Sequence, residues 1–126
     1  MSNGIDEELV YRGLLNPDEV NVLEVEALVD PVSVRTVIPA TVAEKLGLDS
    51  TQQTINYADG SQEVIALSDS IIIEIQGRTT GGEAIVAGSE VIIGSIALET
   101  LDFVVDYENK RLIPNPKHPD YPIFRI

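Results

Sequence analysis

Residues 27–39 read Ala27-Leu28-Val29-Asp30-Pro31-Val32-Ser33-Val34-Arg35-Thr36-Val37-Ile38-Pro39. A carboxylate closes one apolar run, a proline follows it, and a second apolar run begins a few residues later. Proline holds φ at about −65° and donates no backbone N–H, so it breaks a continuous ladder. Aspartate before proline is ordinary turn chemistry. The segment therefore predicts two short strands joined by a turn that carries Asp30. The same grammar runs through the chain, where short β-branched runs are bounded by Gly, Pro, Asn and Asp, as expected of an all-β domain.

Along the chain, Leu9 to Leu15 reads as a first strand stopped by Asn16-Pro17. Val20 to Val29 begins with alternation and ends as a buried run, and Arg35 to Ile38 is the next strand. Pro39 to Leu48 carries the clearest helical signal: a proline opens it, Val42, Ala43 and Leu46 share a face, and Gly47 supplies a stop. Gln52 to Leu67 reads as a hairpin with Asp59-Gly60 at its tip, because glycine accepts positive φ without steric cost. Ile71 to Arg78 is a strand with a glycine turn, and Glu83 to Ala87 and Val91 to Ile93 are two more. Gly94 to Leu101 switches to helical spacing. Leu101 to Val105 and Arg111 to Pro114 form a last hairpin, and the proline-dense tail Pro114–Pro122 is expected to be extended. The expected core draws on Val29, Val37, Ile38, Leu46, Ile73, Ile75, Ile92, Ile93, Leu98 and Val104.

The chain has 126 residues, the size of one domain, and residues 1–126 read as a single unit without repeat or linker. Eight Lys and Arg against 21 Asp and Glu give a formal charge of −13. Such a surface repels phosphate backbones and anionic lipid, so neither a nucleic-acid nor a membrane partner is expected. The chain contains no cysteine, which suits a reducing cytoplasm. Its first residues have no basic start and no apolar h-region, and no apolar stretch reaches the length of a membrane span. A cytoplasmic location is the expectation.

Four pieces in order resemble a retropepsin-like aspartic protease, and the stretch from Ile93 to Asp106 with Arg111 to Pro116 is similar to the small bacterial members of that group. The four are Ala27-Leu28-Val29-Asp30 with Thr36-Val37-Ile38, the Ala58-Asp59-Gly60 tip, Ile71-Ile72-Ile73-Glu74-Ile75-Gln76-Gly77, and Val91-Ile92-Ile93-Gly94 before a helix. The resemblance implies a closed acid-protease barrel with one or two short helices, and a homodimer that takes an extended peptide as substrate or ligand. It makes Asp30 the catalytic carboxylate, Pro31, Val32 and Ser33 the active-site loop, and Tyr57, Ala58, Asp59, Gly60 and Ser61 the tip of a flap. In such dimers two carboxylates share one proton, and one activates water while its protonated partner polarises the scissile carbonyl. No metal and no organic cofactor is implied.

The family's Asp-Thr-Gly reads Asp30-Pro31-Val32 here. Pro31 brings neither hydroxyl nor N–H, and Val32 places a branched side chain where the family has none. A turn that needs a glycine-only conformation would be strained by Val32 or rebuilt around it. The leading expectation is thus an inactive or impaired homologue. The alternatives are an active homodimeric endopeptidase with a variant loop, a non-catalytic dimeric peptide-binding module, and a β-rich domain in which Asp30 is only a turn residue. Arg35 is expected to make a surface ion pair; were it to reach Asp30, it would keep the carboxylate ionised. His118, the single histidine, has no second ligand to make a metal site or triad. Asp102 and Asp106, four apart on an expected strand, read as solvated charges on one outer face.

Overall fold

The computed structural model describes residues 1–120. The chain opens with β1 (Ser2–Asn3), α1 (Gly4–Tyr11) and a 3-10 turn at Pro17–Glu19. The Asp30 region follows as β2 (Ala27–Val29), β3 (Val37–Ile38) and α2 (Ala40–Lys45). Next come β4 (Ser50–Asn56), β5 (Gln62–Ser68), β6 (Ile71–Ile75), β7 (Arg78–Gly82) and β8 (Ile85–Val86). The last elements are β9 (Val91–Ile93), α3 (Ser95–Leu101), β10 (Phe103–Asp106) and β11 (Arg111–Pro114). The protein is mostly β with a few short helices.

The first strand expected at Leu9–Leu15 is instead the last turn of α1, as far as Tyr11, followed by a turn. Asn3 starts that helix: its side-chain oxygen accepts from the amides of Ile5 and Asp6 at 2.9 and 3.1 Å. Asp6 and Glu7 sit in the first turn, where the helix dipole favours acid. Gly13, at φ +75°, ends it. The amide nitrogen of Asn3 also donates to the carbonyls of Leu46 and Gly47, so one buried side chain ties the first helix to the end of α2. Among the described residues three α-helices therefore stand where one or two were expected. The strand expected from Val20 shrinks to β2, because residues before it spend their backbone elsewhere. The Asn21 amide donates to the Asp6 carboxylate and its carbonyl accepts from Asn3.

The six-stranded sheet has the order β2-β9-β3-β8-β5-β4. Strand β9 enters between the two strands flanking Asp30, parallel to β2 and antiparallel to β3. A second sheet has the order β1-β6-β7, and β10 pairs with β11. One core joins the first two sheets with α2 and α3 through Ile38, Ala43, Ile71, Ile73, Ile93 and Leu98. Of the expected core, Ile38, Leu46, Ile73, Ile93 and Leu98 are buried, Val29, Val37, Ile75 and Ile92 are half-buried, and Val104 is exposed on the outer face of β10.

The tail is fastened by a polar knot. Arg78, 8 % exposed, donates from one guanidinium nitrogen to the Leu101 and Asp102 carbonyls and from another to the His118 and Pro119 carbonyls. Its cation also lies 5.2 Å from the centre of the Phe103 ring. Asp102 is not a solvated strand residue. It ends α3 in the left-handed region at φ 58°, is buried, and holds Asn115 and the His118 imidazole (Nδ1 to Oδ2, 2.6 Å). Because β10 starts only at Phe103, Asp102 and Asp106 do not share a strand face. Asp106 instead binds Asn109 and Arg111, and the two bonds from Asn109 hold its carboxyl below the usual carboxylate value. The tail makes a turn at 115–118, where His118 donates to the Asn115 carbonyl, rather than running straight. Tyr121 and Pro122 lie outside the described residues.

Candidate functional site

Asp30 stands where β2 ends. Its amide donates to the Ile93 carbonyl at 3.0 Å, which continues the β2–β9 ladder by one bond. Its carbonyl accepts from Ser33 at 3.2 Å, closing a four-residue turn with Pro31 at the second position, the site that fixed φ favours. The carboxylate Oδ1 accepts from the Val32 amide at 3.0 Å. This is the side chain mimicking a backbone turn, and it orients the acid with one fixed donor. The Asp30 side chain is half-buried.

Val32 is not strained. Among the described non-glycine residues, positive φ occurs at Gln76, Asp102 and Lys110, so the Asp30-Pro31-Val32 turn uses ordinary backbone. The branched side chain points outward and is 88 % exposed. Leu28, Val34 and Ile96, also exposed, flank it in sequence or through the bond from the Ile96 amide to the Val34 carbonyl. Ser33, on which a stand-in hydroxyl could have rested, donates its Oγ–H to the Arg35 carbonyl at 3.1 Å rather than to Asp30.

The loop is clamped from the β9–α3 junction. The Ser95 amide donates to the Ser33 carbonyl at 2.7 Å. Gly94 sits beneath with φ −88° and ψ 176°, a conformation open to any residue. Space rather than dihedral angle demands glycine there: a Cβ would lie 2.6 Å from the Arg35 carbonyl oxygen and 2.8 Å from that of Val34. The Ile93-Gly94 pair thus lets two backbones touch beside Asp30.

Arg35 makes no ion pair among the described residues, neither with Asp30 nor at the surface; it lines a cleft with Thr36 and α3. The 57–61 tip is a tight exposed turn in which Tyr57 and Ser61 pair, Gly60 takes φ +85°, and Asp59 Oδ1 accepts from both the amide and hydroxyl of Ser61. Those two bonds hold the Asp59 carboxyl below its ordinary value. The Tyr57 hydroxyl donates to Glu63, which raises the phenol above 10.0. The hairpin behind the tip pairs in register from Ser50↔Ser68 to Asn56↔Gln62. Among the described residues no group of three potential metal ligands converges, and no helix is long and apolar enough to cross a membrane.

No family model matches the chain, and no curated protein does. A solved structure does: the retroviral protease-like domain of Ddi1 from Leishmania major superposes with a TM-score of 0.54 at 17% identity, covering 83% of this chain and 88% of that one. The fold is retropepsin-like. Within it, what sequence reading missed is the clamp role of Gly94 and the Arg78–Asp102–His118 knot. The first had a signal in Ile93-Gly94, already placed before a helix. The second had none, since its residues lie far apart in the chain and meet only through the tail.

Chemically, a single chain supplies one carboxylate with one amide donor. Such a group accepts a proton or a water hydrogen bond. The acid–base division of labour in aspartic proteolysis needs a second carboxyl beside it.

Proposed function

We propose that this protein is a retropepsin-like aspartic peptidase homologue that assembles as a homodimer about Asp30, wraps its sheets into the closed acid-protease barrel, binds an extended peptide beneath the 57–61 hairpins, and hydrolyses it slowly or not at all. The observation that carries this reading is the Asp30 turn itself, hung on β9 and surrounded by exposed Leu28, Val32, Val34 and Ile96. An exposed apolar collar around a carboxylate suits burial against a second copy. Catalysis is weakened because Pro31 removes the hydroxyl that would brace the pair, and because two Val32 side chains would crowd the axis. Misplacing a reacting group by about 1 Å costs on the order of a hundredfold in rate.

One observation favours the alternative, an active endopeptidase. The Val32 amide still binds the Asp30 carboxylate, so the support a glycine amide gives in the family is retained without glycine. A single experiment separates the two. Light scattering first establishes the dimer, and an unfolded peptide library is then incubated at mildly acidic to neutral pH with the wild type, Asp30→Asn, and the double variant Pro31→Thr, Val32→Gly. The proposal expects equal, negligible cleavage by the first two and cleavage gained in the third. Wild-type cleavage lost in Asp30→Asn would establish the active reading, and a monomer at all concentrations would sink both.

A further inference from the structure

Beyond the Asp30 loop, on the far side of Arg35, lies a cleft of about 210 Å3 between α3, β6 and β7. Its floor is apolar, built from the buried Ile71 and Ile73 and walled by Ile96 and Ala97. Glycines on β7 leave it open: a Cβ placed on Gly82 would meet nothing within 4 Å. The cleft volume lies below the roughly 300–1,000 Å3 of pockets for drug-sized ligands, which suits a molecule the size of a free amino acid.

Thr36, Arg35 and Glu83 are among the polar side chains that line this space, with Thr80 and Thr100. Thr36 is 7 % exposed, and its hydroxyl makes no hydrogen bond among the described residues. Among the described residues no fully buried side-chain polar atom is left unsatisfied, so that hydroxyl reaches accessible space, and the cleft is the space it lines. Arg35 and Glu83 stand at the rim, and neither forms an ion pair, with the other or with any described residue. An unpaired cation and an unpaired anion beside a dry floor are complementary to a zwitterion carrying an apolar side chain. The overall charge of −13 repels a simple anion but leaves a neutral zwitterion unpenalised.

We infer that this cleft binds a free aliphatic α-amino acid. The carboxylate meets Arg35 and the Thr36 hydroxyl, the ammonium meets Glu83, and the side chain lies on Ile71 and Ile73. The site is separate from Asp30 and does not depend on peptidase activity.

The test is a 1H–15N NMR titration of the full chain with L-leucine, alongside 4-methylpentanoate (no ammonium), leucinamide (no carboxylate) and glycine (no side chain). The expected result is saturable shifts confined to the amides of 35–36, 80–83 and 96–100 with leucine alone. Affinity should fall at least about tenfold in Arg35→Gln and in Glu83→Gln, and stay unchanged in Asp30→Asn. Both rim residues are exposed, so the variants keep the wild-type spectrum outside the cleft. The inference is overturned if leucine gives no saturable shift, if the rim variants bind as the wild type does, or if 4-methylpentanoate binds equally well.

Discussion

Gly94→Ala is the sharpest perturbation of the Asp30 loop that leaves Asp30 untouched. The new methyl carbon would lie 2.6 Å from the Arg35 carbonyl oxygen, where ordinary contact begins at 3.4 Å, so the two backbones must part by about 0.8 Å. Neither can yield cheaply, because both are backbone and are joined by the Ser95–Ser33 and Ile96–Val34 hydrogen bonds. Overpacking of this kind costs about 1–3 kcal/mol. Losing the two bonds adds about 1 kcal/mol each. For a domain of this size, 1 kcal/mol moves Tm by about 3–5 °C, so a total of about 3–5 kcal/mol lowers it by on the order of 10 °C or more. The assay is thermal melting by circular dichroism, with urea unfolding to confirm the free energy. NMR amide shifts should report displacement at 33–36. Gly82→Ala is the control: its φ is ordinary and its methyl meets open space, so it should be neutral or stabilise by up to about 1 kcal/mol. A Gly94→Ala melt within about 2 °C of wild type, with the 33–36 amides unmoved, would refute the reasoning, since a shift that size is under about 1 kcal/mol.

Other expectations concern the knot and the hairpin tip. Arg78→Met removes the guanidinium from four carbonyls, of which that of Asp102 keeps its bond from the Asn115 amide, and should cost about 3 kcal/mol in urea unfolding, whereas a cost under about 0.5 kcal/mol would mean water replaces the guanidinium. His118→Ala removes the imidazole from Asp102 and should destabilise by about 1–2 kcal/mol, with faster hydrogen exchange at Asn115 and His118; unchanged exchange would show that the tail is held without it. Asp59 is depressed in the folded protein, so its contribution is present above the unfolded value and lost as pH falls through the folded one. Ser61→Ala should therefore move the Asp59 titration, followed by carboxyl NMR, back up toward 3.8.

What the sequence made legible is the part written in local spacing. Asp59-Gly60 between two alternating runs placed the β4–β5 hairpin, and Pro39 before Val42, Ala43 and Leu46 placed α2. The order of the Asp30, Ile71–Ile75 and Ile93-Gly94 pieces anticipated a retropepsin-like fold that sequence searches did not find. The Leu9–Leu15 strand does not form because Asn3 caps and Gly13 ends a helix whose last turn takes up the start of that apolar run. Asp102 was misplaced for a related reason. Four-residue spacing to Asp106 means a shared face only if both lie on one strand, and a helix end intervenes. For the candidate site, the Asp30 turn was readable and its tolerance of Val32 was not, because whether a turn needs positive φ depends on the whole loop.

The placement of β9 between β2 and β3 also sets a timetable. Strand β2 has no neighbour, and β3 has only β8, until residues 91–93, far downstream, have been synthesised and inserted between them. The long β4–β5 hairpin, by contrast, needs only residues close in sequence, and such local pairings close early in folding. A chain stopped before β9 would hold a formed hairpin beside an unformed acid loop. In the growing polypeptide, then, the carboxylate gains its fixed geometry among the last events, after most of the molecule already exists.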